Sequence, residues 1–180
     1  TGFMTKKELR AAMRGRNLGM APAERAEASR RIFGRVGRLE AFGAARTVGF
    51  FCSLRDEPDT AEALVRWSAV KRIVVPRVEG DAMRFYRYDP QTLRPGAFGI
   101  AEPGPEAQAC DPPEIDLVIV PGTAFTSAGV RCGRGRGYYD KYLAQPGVHA
   151  VKVGVCFAHQ LVGELPAEPH DVAMDYLITD

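Results

Sequence analysis

Short apolar runs alternate with stretches of helical periodicity along this 180-residue chain. The runs are rich in β-branched and aromatic residues and are bounded by glycine, proline or polar clusters, which is typical of strands. The run at residues 115–120 is almost continuously apolar, as expected of a strand buried on both faces, and it stops at Pro121. Arginines interrupt the run at 83–88, which therefore predicts a strand near the surface. Further strands are predicted at residues 46–52, 73–75, 151–157 and 172–178.

Helical patterns separate these strands. Thr5 and Glu8 have the spacing of a capping box, so a first helix is predicted over residues 5–16. Proline suits the first turn of a helix, so Pro22 opens a second helix over 22–40, and a third is expected to start near Pro58. A fourth runs from residue 138 to about 145, whereas residues 91–113 predict a long ordered loop. Because helices alternate with strands, we expect an α/β fold: one domain over 1–180, with a mainly parallel sheet and helices on both faces.

Composition narrows the class of protein. With 46% hydrophobic residues, the chain is long enough to bury one core, and a second domain is not expected. No apolar run approaches the roughly 18 residues that a membrane span needs, and nothing resembles a signal peptide, so we expect no membrane partner. The four cysteines lack metal-site spacing and are expected to be reduced thiols in the cytoplasm.

The charge is unevenly distributed. The formal net charge is only +2, but residues 1–40 carry ten basic and four acidic side chains. Such a segment suits either nucleic acid or a polyanionic small ligand. Lys6 and Arg10 lie four residues apart and therefore project from one side of the first predicted helix. Their spacing alone favours solvated surface charges.

Candidate chemistry concentrates after the strand at 115–120, in residues 131–137, which we call the Gly-Arg loop. Its glycines at 133, 135 and 137 let the backbone approach a ligand, and its arginines at 131, 134 and 136 suit phosphate. Because a helix is predicted to follow, the loop amides are expected to favour an anion. Asp140, in that helix's first turn, suits magnesium held jointly with phosphates. The spacing fits neither a P-loop nor a dinucleotide fingerprint, and the alternative is a solvated surface loop.

Two other acidic residues have open interpretations. Glu57 lies at a strand-to-helix junction, where open α/β sheets commonly bind ligands. A carboxylate in the first turn of a helix is also stabilised by the helix dipole without any ligand. Asp171 precedes the last predicted strand and is typical of a turn. No histidine or serine has the surroundings of a catalytic base or nucleophile.

Residues 121–140 resemble the signature of the 5-formyltetrahydrofolate cyclo-ligase family, which reads Pro-Gly-x-Ala-Phe-x-x-x-Gly-x-Arg-x-Gly-x-Gly-x-Gly-Tyr-Tyr-Asp, and every specified position is met. The resemblance extends in order along the chain. It includes the lysine and arginine near the start, the Glu-x-x-Thr element at Glu57 and Thr60, the Gly-Ile-x-Glu-Pro element at residues 99–103, and the pair at 170–171.

The resemblance implies roles for individual residues. Glu57 and Cys52 contact the folate, Asp171 joins Asp140 at the magnesium, and Tyr138 orients the formyl group. Arg134, Arg136 and Tyr138 are the implied catalytic residues. The implied ATP-binding residues are Lys6, Arg10, Arg131, Cys132, Gly133, Arg134, Gly135, Arg136, Gly137, Tyr138 and Tyr139. Those for the folate are Cys52, Glu57, Arg134, Gly135, Arg136, Gly137 and Tyr138.

The implied activity is an ATP-dependent ring closure with magnesium, in which 5-formyltetrahydrofolate becomes 5,10-methenyltetrahydrofolate. ATP phosphorylates the formyl oxygen, and the substrate's own N10 then displaces phosphate. Such a reaction needs positioning and charge stabilisation rather than a protein nucleophile. The expected partners are therefore two small molecules, ATP and the folate, and no nucleic acid. The protein is expected to be a monomer. Two alternatives stay open: another ATP- or phosphate-using α/β enzyme, and an RNA-binding accessory protein.

Overall fold

The computed structural model describes residues 4–180, so residues 1–3 of the predicted domain lie outside the described part. Helix α1 begins after Thr5, whose hydroxyl oxygen accepts a 3.1 Å hydrogen bond from the Glu8 amide, which is the N-cap half of the predicted capping box. Among the described residues, no helix is both long and apolar enough to cross a membrane. The helices are α1 (Lys6–Leu18), α2 (Pro22–Gly37), α3 (Glu40–Ala44), α4 (Ala61–Ser68) and α5 (Tyr138–Leu143).

Most strands join one seven-stranded sheet. The strands are β1 (Thr47–Gly49), β2 (Arg72–Glu79), β3 (Ala82–Arg87), β4 (Arg94–Pro95), β5 (Ala101–Glu102), β6 (Ala109–Cys110), β7 (Leu117–Val120), β8 (Ala124–Phe125), β9 (Arg131–Cys132), β10 (Val151–Val155) and β11 (Tyr176–Ile178). The sheet order is β11-β10-β7-β1-β2-β3-β6. Pairing is parallel from β11 through β2 and antiparallel for β3 and β6. The mainly parallel α/β fold is therefore confirmed.

The central strand β7 shows why the sheet needs cover on both sides. Leu117 and Ile119 pack with α2, α3 and α4 on one face, whereas Val118 and Val120 pack with α5 on the other. All four are at most 1% exposed. Because burying one such side chain stabilises a fold by about 1.5–3 kcal/mol, this continuously apolar run fixes β7 in the middle of the molecule.

The second strand does not end at Pro76; that prediction was wrong. Strand β2 continues to Glu79. The carbonyl of Val74 accepts a hydrogen bond from the Phe50 amide, and pairing with β1 stops there. The backbone of Pro76, two residues on, faces the β1 edge of β2, just past the last paired residue of β1. On the opposite edge of β2, Pro76 pairs with Phe85 of β3. Pro76 has no N–H to donate on the β1 side, so pairing with β1 ends there, and β2 continues through its pairing with β3.

Other boundaries also differ from the predictions. The second helix ends at Gly37, and a separate short helix, α3, follows it. The third helix starts at Ala61 with Thr60 as its N-cap residue, so Pro58 precedes it. The strands predicted at 46–52 and 172–178 are shorter in the structure, as β1 and β11, because pairing stops where the chain leaves the sheet. The predicted long loop at 91–113 contains the β4–β5 ribbon and the edge strand β6.

Candidate active site

A pocket of about 290 Å³ opens where the parallel strands end. Segments that follow β1 and β7 form two of its walls, and the far half of β2 forms a third. This is the edge at which open α/β sheets bind ligands. The apolar lining consists of Phe51, Cys52, Leu54, Pro76, Val78, Met83, Phe98, Ile100 and Pro121. The polar lining consists of Glu57, Glu102, Arg131, Arg134, Arg136, Tyr138, Tyr139 and Asp140 together with Gly133 and Gly137.

Arg131 fixes the base of the Gly-Arg loop. Its Nε donates a 2.7 Å hydrogen bond to the carbonyl oxygen of Pro121, and its Nη1 lies 3.8 Å from Asp140 Oδ1. The guanidinium also lies 5.2 Å from the centroid of the Tyr139 ring. Burial lowers the Arg131 pKa and raises that of Tyr139. A buried arginine with these contacts braces the loop and adds positive charge behind it.

The other two loop arginines are exposed but differ in their partners. Arg134 Nη2 lies 2.9 and 3.1 Å from the two carboxylate oxygens of Asp56, and Nη1 lies 3.8 Å from Glu57 Oε2. Arg136 instead lies over the ring of Phe98, 4.7 Å from its centroid. Arg134 therefore has a fixed direction, whereas Arg136 rests on an aromatic face at the pocket.

The backbone of the loop requires glycine at two positions. Gly135 has a φ of 105°, and Gly137, the N-cap residue of α5, has a φ of 73°. Residues with a Cβ rarely adopt either conformation. The carbonyl of Gly133 accepts hydrogen bonds from Arg10 Nε at 2.8 Å and from Thr123 Oγ1 at 3.2 Å. The loop is thus held open towards the pocket by contacts on its other side.

Lys6 and Arg10 do share one face of α1, as their spacing predicted. Arg10 reaches the Gly-Arg loop, whereas Lys6 Nζ forms a 3.0 Å ion pair with Glu168 Oε1 in the segment before β11. Helix α1 buries a single side chain, that of Asn17. The helix therefore contributes little to the core and is positioned over the site by polar contacts.

Glu57 is buried in the pocket wall. Its Oε1 accepts a 2.8 Å hydrogen bond from the Leu54 amide. Burial raises the pKa of this carboxyl, partly opposed by that hydrogen bond and by Arg134. Thr60 forms two hydrogen bonds with Ser53 nearby. Its hydroxyl oxygen accepts from the Ser53 amide at 3.1 Å, and its own amide donates to Ser53 Oγ at 3.1 Å. The Glu-x-x-Thr spacing therefore combines a pocket-facing acid with a residue that closes its loop.

The predicted metal ligands come from neighbouring segments. Asp140 Oδ1 accepts a 3.3 Å hydrogen bond from the Val172 amide, directly beside Asp171. Asp171 Oδ2 accepts from the Glu168 amide at 2.8 Å, and ligand atoms of Glu168, His170 and Asp171 all lie within 4.8 Å of one another. Carboxylate oxygens suit a hard cation such as magnesium, but this cluster does not include Asp140, whose Oδ1 instead lies 3.8 Å from Arg131 Nη1.

The structure brings most of the predicted site residues together. Those that line the pocket are Cys52, Glu57, Arg131, Gly133, Arg134, Arg136, Gly137, Tyr138, Tyr139 and Asp140. Lys6, Arg10, Gly135 and Asp171 lie outside its lining, and Cys132 is buried behind the loop. The four cysteines are free, and burial raises the pKa of the Cys52 thiol to about 11. Cys52 therefore offers the pocket a neutral thiol.

Sequence reasoning missed the pocket residues Glu102 and Phe98, and also Asp56, which contacts the pocket residue Arg134 from outside the pocket lining. Asp56 precedes Glu57 at the same strand-to-helix junction, so the junction itself was a usable signal. Glu102 is buried, and its Oε2 accepts a 2.7 Å hydrogen bond from the Val78 amide. Phe98 has a φ of 60° and lies over Arg136 near Tyr138. Neither periodicity nor composition distinguishes Phe98 from an ordinary loop aromatic.

Fold and site together define an α/β protein with a ligand pocket at the carboxyl edge of its sheet and a basic glycine loop beside it. The chain belongs to the 5-formyltetrahydrofolate cyclo-ligase family, whose model matches residues 3–180. It is 31% identical to the 5-formyltetrahydrofolate cyclo-ligase of Mycolicibacterium smegmatis, across 97% of this chain and 93% of that protein.

Solved structures agree with this assignment. The NMR structure of Aquifex aeolicus 5,10-methenyltetrahydrofolate synthetase aligns with a TM-score of 0.87 and 33% identity, covering 98% of this chain and 90% of that one. The 5,10-methenyltetrahydrofolate synthetase of Mycoplasma pneumoniae aligns with a TM-score of 0.81 over 98% of this chain and 99% of that one. At 23% identity, the latter indicates a shared fold alone.

Proposed function

We propose that this protein is an ATP-dependent ligase that converts 5-formyltetrahydrofolate to 5,10-methenyltetrahydrofolate, releasing ADP and phosphate. One observation carries the proposal beyond family membership. The Gly-Arg loop, which suits phosphate, forms a wall of the same pocket whose other walls are largely apolar. A flat heterocyclic substrate and a phosphoryl donor can therefore meet there.

The reaction proceeds in two steps. The formyl oxygen attacks the γ-phosphorus of ATP, the bond from that phosphorus to the β,γ-bridging oxygen breaks, and ADP departs. The lone pair of N10 then attacks the activated carbon. The carbon–oxygen bond breaks to release phosphate, and the N10 proton passes to solvent. No protein nucleophile takes part, so the task of the site is alignment and charge stabilisation.

The chain's own side chains divide this task. Arg134 and Arg136 offer guanidinium donors to the transferring phosphoryl group from the pocket side. Arg10 and Lys6 hold the ATP phosphates from α1. Glu57 and Cys52 contact the folate, and Tyr138, the first residue of α5, orients the formyl group. The pocket-facing positions of all except Lys6 and Arg10 support these assignments.

Asp140 and Asp171 would hold magnesium beside the loop. When bound, the ion would neutralise negative charge on the ATP phosphates. Support comes from the donor set, since both residues offer hard carboxylate oxygens and the Asp140 carboxylate contacts the backbone amide that follows Asp171.

The decisive experiment follows formation of the methenyl product by its near-ultraviolet absorbance, with purified protein, 5-formyltetrahydrofolate and magnesium, with and without ATP. Product that appears only with ATP, together with equal amounts of ADP, is the expected result. ADP formation that ignores the folate would favour another ATP-using enzyme. RNA affinity that falls steeply with salt, without ATP turnover, would favour the RNA-binding alternative.

The same proposal places a monomer in the cytoplasm. Size-exclusion chromatography with light scattering tests the oligomeric state: a mass near the 19.6 kDa of one chain is expected.

A further inference from the structure

Two cavities meet at Arg134. The first is the pocket of about 290 Å³ described above. The second, of about 170 Å³, lies under α1 and is lined by polar groups that include Arg10, Arg14, Asn17 and Asp56. Within the described chain, Arg134 is the one residue that lines both cavities. Its guanidinium therefore stands at the boundary between the pocket beside the Gly-Arg loop and the polar cavity under α1.

Asp56 determines where this guanidinium points. Both of its carboxylate oxygens contact the same nitrogen, Nη2, at 2.9 and 3.1 Å. The Asp56 side chain is only 8% exposed, whereas that of Arg134 is 40% exposed. The backbone carbonyl of Asp56 also accepts a 2.9 Å hydrogen bond from the buried side chain of Asn17. Asp56 is thus the fixed member of the pair, and Arg134 is the member that faces ligands.

The geometry leaves part of Arg134 available. Nη1 lies 3.8 Å from Glu57 Oε2, too far for a hydrogen bond, on the side of the first pocket. A pair with one half-exposed member contributes less to stability than a fully buried pair, so stability alone does not explain why a buried carboxylate lies beside this arginine. A buried carboxylate that orients a ligand-facing guanidinium does explain it.

We propose that Asp56 is a positioning residue: it holds the Arg134 guanidinium across the boundary so that Nη1 meets the phosphoryl group as that group passes between the two substrates. This inference rests on the proposed function and adds a residue to it. The Asp56 carboxylate itself lies in the second cavity, next to the arginine-rich lining, and acts on the reaction only through Arg134.

The test is a double-mutant cycle with Asp56→Asn, Arg134→Met and the double variant. Because a misplaced group costs about 10²-fold in rate, Asp56→Asn should lower kcat by about 10- to 100-fold while changing the KM for either substrate less than about threefold. In the Arg134→Met background, Asp56→Asn should change kcat less than about twofold. Independent effects that multiply, or an unchanged kcat in Asp56→Asn, would overturn the proposal.

Asp59→Asn is the matched control. Asp59 lies in the same loop and pairs with Arg25 at 3.6 Å, but it lines neither cavity. It should retain the kcat of the parent protein. If Asp56→Asn does not fold, Arg134→Lys serves instead, since it keeps the charge but not the fork; a kcat within twofold of the parent would then contradict the proposal. Failure of the parent protein to form the methenyl product would instead refute the proposed function.

Discussion

Arg10 Nε donates a 2.8 Å hydrogen bond to the backbone carbonyl of Gly133, which joins the first helix to the Gly-Arg loop across 123 positions of sequence. The same guanidinium lies close to Gly135, where a Cβ would meet Arg10 at 3.4 Å. Helix α1, which has only one buried side chain, is therefore coupled to the loop by a charged residue rather than by core packing.

Removing both α1 cations should weaken ATP binding. We expect Lys6→Ala/Arg10→Ala to raise the ATP Kd by about 10-fold or more, because a hydrogen bond involving a charged group contributes about 1.5–3 kcal/mol. The free energy of unfolding should fall as well, by about 1.5–3 kcal/mol, because the charged hydrogen bond from Arg10 to the Gly133 carbonyl is lost. ATP titration by calorimetry and urea unfolding measure the two quantities.

Lys7→Ala is the control for that variant, since Lys7 is exposed and lies about 100° around the helix from Lys6. Its ATP affinity should match that of the parent protein. Equal losses in Lys7→Ala and in the double variant would mean that the helix acts through overall charge, and normal ATP binding in the double variant would remove α1 from the nucleotide site.

Gly135→Ala should impair turnover more than stability. Alanine is strained at a φ of 105°, at a cost of about 1–3 kcal/mol, and the added carbon would lie in van der Waals contact with the Arg10 guanidinium. We expect kcat/KM for ATP to fall by about 10-fold or more. Gly163→Ala, in open space and without a positive φ, should leave kcat/KM unchanged. Equal activity of the two variants would show that turnover does not depend on the left-handed conformation of residue 135.

Local pattern was enough to predict the centre of the fold. The apolar run that became β7 and the Gly-x-Gly-x-Gly spacing that follows it depend on neighbouring residues only, so both were visible in the sequence. Thr5 likewise caps the first helix through a contact three residues away. The predictions failed where a neighbouring strand decides the outcome, as at Pro76, where β2 loses its pairing with β1 but continues because β3 pairs with it.

The site shows the same division. The residue types of the Gly-Arg loop indicated phosphate, but their partners lie far away in sequence. Arg134 pairs with Asp56, 78 positions earlier, and Lys6 pairs with Glu168, 162 positions later. Tertiary folding alone creates these contacts, so neither Asp56 nor Glu168 was selected from the sequence.

The Asp140 carboxylate should control the magnesium requirement. Asp140→Asn removes one negative charge beside Asp171 but keeps an oxygen that can accept from the Val172 amide. We expect the magnesium concentration for half-maximal turnover to rise by about 10-fold or more. The melting temperature should also fall, because the buried Arg131 guanidinium loses its carboxylate partner. Asp81→Asn, whose carboxylate is exposed and pairs with Lys141 of α5, is the control. Identical magnesium titrations for both variants would argue against a metal role for Asp140.

Glu57→Gln should separate the two substrates. The side chain lines the first pocket and not the second, so the KM for 5-formyltetrahydrofolate should rise by about 10-fold or more while the KM for ATP changes little. Steady-state kinetics with each substrate varied in turn provide the measurement. A parallel rise in both constants would instead indicate that Glu57 supports the fold of the whole site.

Glu57→Gln should also alter how stability depends on pH. Burial raises the pKa of Glu57 above its ordinary value of 4.5, so the folded protein binds this proton more tightly than the unfolded chain does. Stability from this group is therefore complete below pH 4.5 and declines as the pH rises towards the folded pKa. Glutamine cannot titrate, yet its amide oxygen can still accept from the Leu54 amide. The free energy of unfolding of Glu57→Gln, minus that of the parent, should thus increase upward from pH 4.5 and then level off. Urea unfolding of both proteins across this range measures the difference, in which other titrating groups cancel. A constant difference, or one that decreases with pH, would mean that Arg134 and the Leu54 amide outweigh burial at this carboxyl.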